Sequence, residues 1–368
     1  MNINWLLKTF NEVTVKSINS PKLAKNKFLD TGSYPVIDQS QEDISGYTND
    51  EKLVYSGKLP VVIFGDHTLI VKYIDFPFVR GADGTKIITA NSEIVIPKFL
   101  YYLLLNSRIE SHGYSRHFRF VKELSFKIPP LKLQKKIVER LDAIRKLQEL
   151  NDKEIEKVKL LFSTRLSSEF SKKKGWKEVI LSDICDVRDG THDSPKYHNE
   201  GIPLITSKNL KDDDLDFANV NFISEKDHKQ IIKRSFVENG DILFGMIGTI
   251  GNPVVVDTDE IFSIKNVGLV KFPNKALVNN YYLKYFLESP FLTNQITRLS
   301  RGGTQKFVSL GNLRNLKIFL PKLLEQDKIA CHFNEIRTYQ YLLKNRGNKL
   351  TEFFESTLNK AMRGELVS

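Results

Sequence analysis

Apolar residues recur at alternating intervals of four and three positions in two long segments of the chain, and this spacing predicts two amphipathic helices. The stripes consist of Ile137, Leu141, Ile144, Ile155, Val158 and Phe162 in the first segment and of Ile329, Phe333, Ile336, Leu343, Leu350 and Phe354 in the second. The exceptions within them are Gln148, Asn151, Gln340 and Gly347. Such a stripe is the seam of a coiled coil, so each helix is expected to cover the other. The alternative is a pair of ordinary core helices inside one compact fold.

The sequence before each stripe is repeated. "FKIPPLKLQKKIVERLDAI" starts at Phe126, and a diluted copy, "KIFLPKLLEQDKIACHFNEI", starts at Lys317. The two copies align without a gap, so that Pro129 matches Pro321 and Gln134 matches Gln326. The same spacing continues beyond them and matches Ile144 with Ile336, Arg145 with Arg337, and Phe162 with Phe354. The only two tryptophans mark equivalent starts in "WLLKTFNEV" and "WKEVILSDI". The chain therefore contains one unit written twice.

Each repeat is predicted to be a mixed α/β domain followed by one long helix, because the prolines suit a strand end and a helix start. We assign residues 1–130 and 172–322 to the domains and residues 131–171 and 323–368 to the helices. A first helix from about Lys132 to Phe170 would be roughly 60 Å long. Since it leads away from the first domain and the second helix must return, the pair should be antiparallel with an approximate two-fold axis. The predicted fold class is α+β.

The charge balance changes the picture of the partners. The chain has 55 Lys and Arg against 44 Asp and Glu, a net charge of +11. Such a balance favours a polyanion, most often nucleic acid, although it also fits a protein with solvated surface charges. Cys185 and Cys331 lack metal-ligand spacing and are expected to be buried thiols in a reducing cytosol. No apolar run approaches the roughly 18 residues of a membrane span, so we expect a cytoplasmic protein without a membrane partner.

Catalytic motifs are missing from the sequence. There is no GxxxxGK[ST] phosphate loop, and the glycines of "GMIGTIG" fit tight turns instead. "FGDHT" from Phe64 and "DGTHDSP" from Asp189 place a histidine beside carboxylates, but neither segment offers a second His or Cys at a suitable interval. We therefore expect no catalytic residue and no metal site, and interpret these segments as structural loops or DNA contacts.

Two basic segments are suited to a phosphate backbone. "GYSRHFRF" and "RLSRGGTQKF" lie just upstream of matched Phe-Val pairs, so they occupy equivalent places in the repeat. Basic and amide side chains on such loops can contact phosphates and base edges. The candidates are Arg116, His117, Arg119, Arg298, Arg301, Thr304, Gln305 and Lys306. The alternative is a pair of solvated charged loops.

Several long segments, in the right order, resemble the specificity subunits of type I restriction-modification systems. In the first half these are "GKLPVVIFGDHT", "DFPFVRGADGTKII" and "IPPLKLQKKIVERLD". In the second half they are "DGTHDSPKYHNEGIPLITSKNL", "ENGDILFGMIGTIGNPVVV", "LPKLLEQDKIA" and "AMRGEL". Within these segments the further candidates for DNA contact are Arg80, Lys86, Thr191, His192, Lys196, Tyr197, Lys208 and Asn209.

The resemblance implies two target recognition domains, each reading one half of a split, asymmetric sequence in double-stranded DNA. It also implies that the helices hold two modification subunits, which bring S-adenosylmethionine and methylate adenine. Restriction subunits would add translocation and cleavage driven by ATP with Mg²⁺, while this chain would bind no cofactor and catalyse nothing. The alternatives are a protein-binding adaptor and a component of a related stand-alone restriction enzyme.

Overall fold

The computed structural model describes residues 5–107, 109–110, 115–171, 173–211, 213–299 and 307–366. The chain divides into two compact units. The first comprises Met1–Asp152 together with Asn345–Ser368, and the second comprises Lys153–Lys344. Each unit therefore contains one globular domain and a segment of each long helix.

In its described residues, the domain of the first unit has ten short strands and three α-helices, followed by a long helix. Its strands are β1 (Leu6–Thr9), β2 (Thr14–Val15), β3 (Lys22–Leu23), β4 (Tyr34–Ile37), β5 (Gly46–Thr48), β6 (Val61–Gly65), β7 (Val71–Ile74), β8 (Val79–Gly81), β9 (Thr85–Ala90) and β10 (Ser125–Ile128). The helices are α1 (Phe10–Val13), α2 (Pro97–Asn106), α3 (Phe118–Lys122) and α4 (Leu131–Glu169).

The described strands of this domain form three sheets. Strands β1 and β10 form an antiparallel pair, with Leu6 opposite Ile128. The other sheets have the orders β2-β9-β6-β7 and β3-β8-β4-β5. Strand β6 is buried on both faces because its alternating side chains enter two different hydrophobic clusters: Val62 and Phe64 pack with the α2 side, and Val61 and Ile63 with the other. This buried strand ends at the FGDHT loop.

The second unit repeats this plan with longer connections. Its strands are β11 (Lys177–Ile180), β12 (Asp186–Asp189), β13 (Ile202–Ile205), β14 (Leu210–Lys211), β15 (Asp214–Leu215), β16 (Asn221–Ile223), β17 (Ile242–Gly245), β18 (Gly251–Val255), β19 (Ser263–Ile264), β20 (Val267–Lys271) and β21 (Lys317–Leu320). The helices are α5 (Leu181–Ile184), α6 (Glu225–Ser235), α7 (Asn280–Glu288), α8 (Pro290–Leu299), α9 (Leu310–Arg314) and α10 (Leu323–Arg363).

Its sheets correspond to those of the first unit. Strands β11 and β21 pair as β1 and β10 do, and the sheets have the orders β12-β20-β17-β18 and β16-β13-β19, with β14-β15 as a small hairpin. Strand β17 again divides its side chains between two clusters, Ile242 and Phe244 on one face and Leu243 on the other. The predicted tandem repeat of mixed domains with long helices is confirmed.

A buried glutamine fastens each long helix to its own domain. The side-chain oxygen of Gln134 accepts from the Ile96 N–H (2.8 Å), and its amide donates to the carbonyls of Ile94 (2.9 Å) and Pro129 (2.8 Å). Gln326, its partner in the repeat, behaves in the same way. Gln326 accepts from Asn279 N (2.9 Å) and donates to Leu277 O (3.2 Å) and Pro321 O (2.9 Å). Both side chains are completely buried, so these bonds fix where each helix leaves its domain.

The two long helices pack antiparallel within each unit. In the first unit the Arg145 guanidinium lies 4.3 Å from the centre of the Phe354 ring. In the second unit the equivalent pair is reversed, with Arg337 lying 4.0 Å from the Phe162 ring. Arginine over an aromatic face is a favourable cation–π arrangement. The same contact is thus made twice, once by each helix on the other.

A polar layer interrupts the seam of the first unit. Asn151 is buried, and its side-chain oxygen accepts from Arg346 Nε at 2.6 Å. Opposite it stands Gly347, where an added Cβ would come within 2.9 Å of the Asn151 amide nitrogen. Two of the four exceptions in the apolar stripes therefore lie against each other, and a Cβ at position 347 would require the Asn151 side chain to shift.

The twelve predicted seam residues are covered by more than the opposite helix. Ten of them are buried, whereas Ile155 and Leu350 are only partly buried. Ile137, Leu141 and Ile144 share one cluster with α2 and with Phe354, so domain and opposite helix cover the stripe together. The expectation of two buried thiols is wrong for one of them: Cys185 is buried, but Cys331 is exposed because it lies beside the buried positions of α10, not among them.

None of the helices in the described parts of the chain combines the length and apolar character that a membrane span requires.

Candidate nucleic-acid interface

Asp66, at the end of β6, organises the basic segment of the first unit. It is almost completely buried, and its carboxylate accepts from the Phe118 N–H (2.8 Å) and pairs with Lys86 (3.2 Å). Burial alone would raise the pKa of Asp66, but the Phe118 hydrogen bond and Lys86 outweigh it and lower the pKa. An ionised carboxylate therefore anchors the start of α3 against the FGDHT loop.

The anchored α3 places several basic side chains around one surface cleft. Lys86, Arg116, Arg119 and Lys122 line the same cleft, and both arginines are exposed. Arg119 lies 4.5 Å from the centre of the Phe120 ring, which holds its guanidinium at the surface. Three of these four residues were predicted from the sequence. Lys122 was not, although its position three residues after Arg119 on α3 places it on the same side.

Two of the predicted contact residues of this unit are otherwise engaged. His117 is completely buried; its backbone N–H and Nδ1 meet the Asp66 carbonyl at 2.8 and 2.9 Å, and Nε2 lies 3.2 Å from Ser115 Oγ. A DNA contact by His117 does not fit this geometry, because the ring faces the protein on both sides. Arg80 is half-buried and donates from Nε to the Thr85 carbonyl at 2.9 Å, and burial lowers its pKa.

In the second unit a buried aspartate again organises a polar loop. Asp189 ends β12, is 2% exposed, and accepts from His192 Nε2 at 2.8 Å and from Arg234 on α6. The other ring nitrogen of His192 lies 2.8 Å from the Asn266 side-chain oxygen. The imidazole is thus held between two acceptors while much of it remains exposed. Arg234 had no signal in the sequence, because it is far from Asp189 along the chain.

We expect His192 to titrate above the ordinary histidine range. The hydrogen bond with Asn266, followed by that with Asp189, raises the pKa of His192. Protonation therefore stabilises this loop fully below a pH of about 6.5, and the contribution is lost as the pH rises through the raised value. NMR titration of the full chain would measure the midpoint, and Asn266→Ala should lower it.

His228 provides an internal comparison in the same unit. It lies on α6, and burial lowers its pKa. The two midpoints should therefore fall on opposite sides of the ordinary value. Coincident midpoints would contradict the assigned hydrogen bonds of His192.

The remaining predicted residues of the second unit differ in accessibility. Lys196, Tyr197 and Lys208 are exposed, and Thr191 is half-buried. Lys265 fixes the loop that carries Thr191, Lys196 and Tyr197 by donating to Ser194 Oγ at 2.7 Å and lying 5.9 Å from the centre of the Tyr197 ring. This lysine was missed because its residue type and position in the sequence gave no sign of the contact.

Asn209 does not fit a direct DNA contact. It is buried, its oxygen accepts from the Thr206 backbone and hydroxyl (3.0 and 2.8 Å), and its amide donates to the carbonyls of Asp216 and Asn219 at 3.0 Å each. With oxygen and amide hydrogens engaged, the side chain holds its own loop together.

Arg298 is exposed near the end of α8. The other candidates of its segment, Arg301, Thr304, Gln305 and Lys306, lie outside the described residues and stay predictions. Within the described ranges, no three His, Cys, Asp or Glu side chains come together in a group that could hold a metal ion.

Comparison with known proteins gives one consistent result. The family model described as "Type I restriction modification DNA specificity domain" matches residues 2–160 and 173–352. The chain is 24% identical over 285 residues to the type I restriction enzyme EcoBI specificity subunit of Escherichia coli. That match covers 68% of this chain and 60% of the relative, so the chain spans less than two thirds of that relative's length.

Two further comparisons cover more of the chain. A putative type I restriction enzyme specificity subunit of Haemophilus influenzae is 23% identical over 377 residues, which is 91% of this chain and 88% of that protein. The crystal structure of a type I restriction-modification system S subunit from M. genitalium superposes with a TM-score of 0.64 at 17% identity. It covers 98% of this chain and 96% of that one. This last likeness concerns the fold.

Proposed function

Since the chain belongs to the type I restriction-modification DNA specificity family, we propose that it reads a bipartite, asymmetric target in double-stranded DNA, one half with each globular domain. The observation that carries this proposal is the repeat itself. One fold occurs twice, and each copy presents basic or polar side chains at its surface. These residues come from different places in the two copies: Arg116 and Arg119 lie beside Lys86 at the start of α3 in the first, and His192 and Lys196 follow β12 in the second. Two different surfaces suit two different half-sites.

The long helices are proposed to hold two copies of the modification subunit. Exposed apolar residues stand at equivalent positions of the two helices, away from the buried stripe. The matched pairs are Leu147 and Tyr339, Leu150 and Leu342, and Leu161 and Phe353. Large apolar side chains exposed in a repeated pattern favour a protein interface. Because the pattern occurs twice, it supports two copies of the same partner.

The chemistry is proposed to belong to those partners. Modification subunits would supply S-adenosylmethionine and methylate adenine, and restriction subunits would add ATP- and Mg²⁺-dependent cleavage. The specificity chain would act as the recognition component, in the cytoplasm where its DNA target lies.

Methylation mapping tests the proposal. The chain is co-expressed with its modification subunit, and methylated adenines are mapped by long-read sequencing. We expect one split asymmetric motif, and exchange of one globular domain should alter one half of it only. A stable complex that methylates nothing would favour a protein-binding adaptor instead.

Replacing both Arg116 and Arg119 with alanine should weaken DNA binding by the assembled complex. Both side chains are exposed beside Lys86, and each phosphate contact contributes about one unit to the slope of log affinity against log salt. We therefore expect that slope to fall by up to about two. Arg363→Ala, which removes an exposed cation at the end of α10, is the matched control. An unchanged slope in the double variant would remove both arginines from the interface.

A further inference from the structure

A group of four charged side chains, one of them buried and three partly buried, lies between the second domain and the long helices of the same unit. Lys284 of α7 is 3% exposed and pairs with Asp213 (2.8 Å) and Glu288 (3.1 Å). Arg337 of α10 pairs with the same two carboxylates, with Asp213 at 2.9 Å and with Glu288 at 2.8 Å. Two cations therefore face two carboxylates, and the group is neutral as a whole.

Asp213 differs from its three partners because it comes from a loop. It lies at the turn between β14 and β15, with a φ of +67°, a backbone conformation that residues other than glycine rarely adopt. Its two carboxylate oxygens reach separate helices, Oδ1 to α7 and Oδ2 to α10. One side chain thus ties the hairpin to both helices. Arg337 in turn lies over the ring of Phe162 on α4.

The hairpin belongs to a segment that carries a candidate DNA contact. Residues 206–220 connect β13 to β16, and they include the exposed Lys208 on a short 3-10 turn. Asn209 holds this segment as one body by bonding Thr206, Asp216 and Asn219. Lys208 and the Asp213 contacts therefore belong to the same body.

Among its described residues, the first unit lacks this arrangement. There the equivalent arginine, Arg145, donates to the Tyr101 hydroxyl at 3.4 Å, and Tyr101 stands where the second unit has Lys284. The equivalent loop, residues 38–45, is shorter than the 206–220 segment. The tie through Asp213 is thus a property of the second recognition domain.

We propose that Asp213 is a positioning residue for sequence recognition by the second domain: by pairing with Lys284 and Arg337, it fixes the 206–220 segment against the helices, so that Lys208 meets its half-site in one position. This inference rests on the proposed function. It further implies that this half-site is read by a segment whose position depends on its contacts with α7 and α10. The segment that reads the other half-site has no such tie through the equivalent loop.

Asp213→Asn is the direct test, because it removes the charge and keeps the shape. In this variant Lys284 and Arg337 still pair with Glu288, so no buried cation is left alone and the chain should fold. The matched control is Asp259→Asn, which removes one negative charge from an exposed position of the same domain. Asp213→Glu keeps the carboxylate, so it should retain part of the wild-type discrimination that Asp213→Asn loses.

The measurement is the methylation motif of the complex, determined for each variant against targets with single base-pair changes in either half-site. Domain exchange in the wild type first assigns each half-site to a domain; if the wild type shows no split motif, the proposed function fails and not this inference. With the motif established, we expect Asp213→Asn to lower discrimination in the second domain's half-site about tenfold and leave the other half-site unchanged. Unchanged discrimination in both half-sites, or an equal loss in both, would overturn the inference.

Discussion

Phe354→Asp should unfold the first unit or destabilise it by at least about 4 kcal/mol, because the change combines an aromatic cavity with a buried charge. The Phe354 side chain is 5% exposed, receives Arg145 on its face, and contacts the Tyr102 ring at 6.1 Å between centroids. The loss should appear as a lower midpoint in thermal or urea unfolding of the full chain.

Phe353→Asp is the matched control for this experiment. Phe353 is adjacent in sequence but 57% exposed, so the same substitution should leave the unfolding midpoint nearly unchanged. It should instead weaken binding of the modification subunit in a pull-down. If both variants unfolded alike, the assignment of buried and exposed faces on α10 would be wrong.

Gln134→Leu should lower the free energy of unfolding by about 3 kcal/mol or more. The leucine fits the space but leaves the Ile96 N–H and the carbonyls of Ile94 and Pro129 without their partner, and each buried unsatisfied group costs about 1–3 kcal/mol. Gln326→Leu should behave in the same way, because it breaks the equivalent three bonds. Urea unfolding of each variant measures the loss.

Gln41→Leu is the control for the Gln134 variant. Gln41 belongs to the same unit but is exposed, so its replacement should change the free energy of unfolding by less than about 0.5 kcal/mol. A similar small change at Gln134 would mean that water replaces the lost bonds, and that the glutamine does not brace the helix.

The long helices could be predicted because their signal is long. A regular apolar spacing kept over several turns leaves few alternatives, and the predicted start and end, near Lys132 and Phe170, lie one residue from the observed Leu131 and Glu169. The internal repeat also allowed Gln134 and Gln326 to be recognised as equivalent residues. Their role as braces could not be predicted, because their partners come from loops whose paths the sequence does not reveal.

The candidate interface was predictable by residue type but not by exposure. Arg116 and Arg119 are at the surface, as a basic loop suggests, whereas His117 between them and Asn209 in the other half are buried and fully engaged. A polar side chain in a loop can bind a ligand or hold the loop, and only the hydrogen-bond partners distinguish these roles. Cys331 shows the same limit for an apolar residue: one step along a helix moves a side chain from the core to the solvent.

The first unit is built from two separate stretches of the chain, and this has a consequence for biosynthesis. Its hydrophobic core includes Phe354, Leu358, Ala361 and Met362, which follow the whole second domain along the chain. Gly364, at a φ of +81°, turns the chain against Trp5 near the start. Domains generally fold in the order of their translation, but here the amino-terminal domain cannot complete its core until the second domain has been made. The second unit, drawn from one continuous stretch of chain, can mature while translation continues. The nascent chain should therefore complete its first domain only after the second domain.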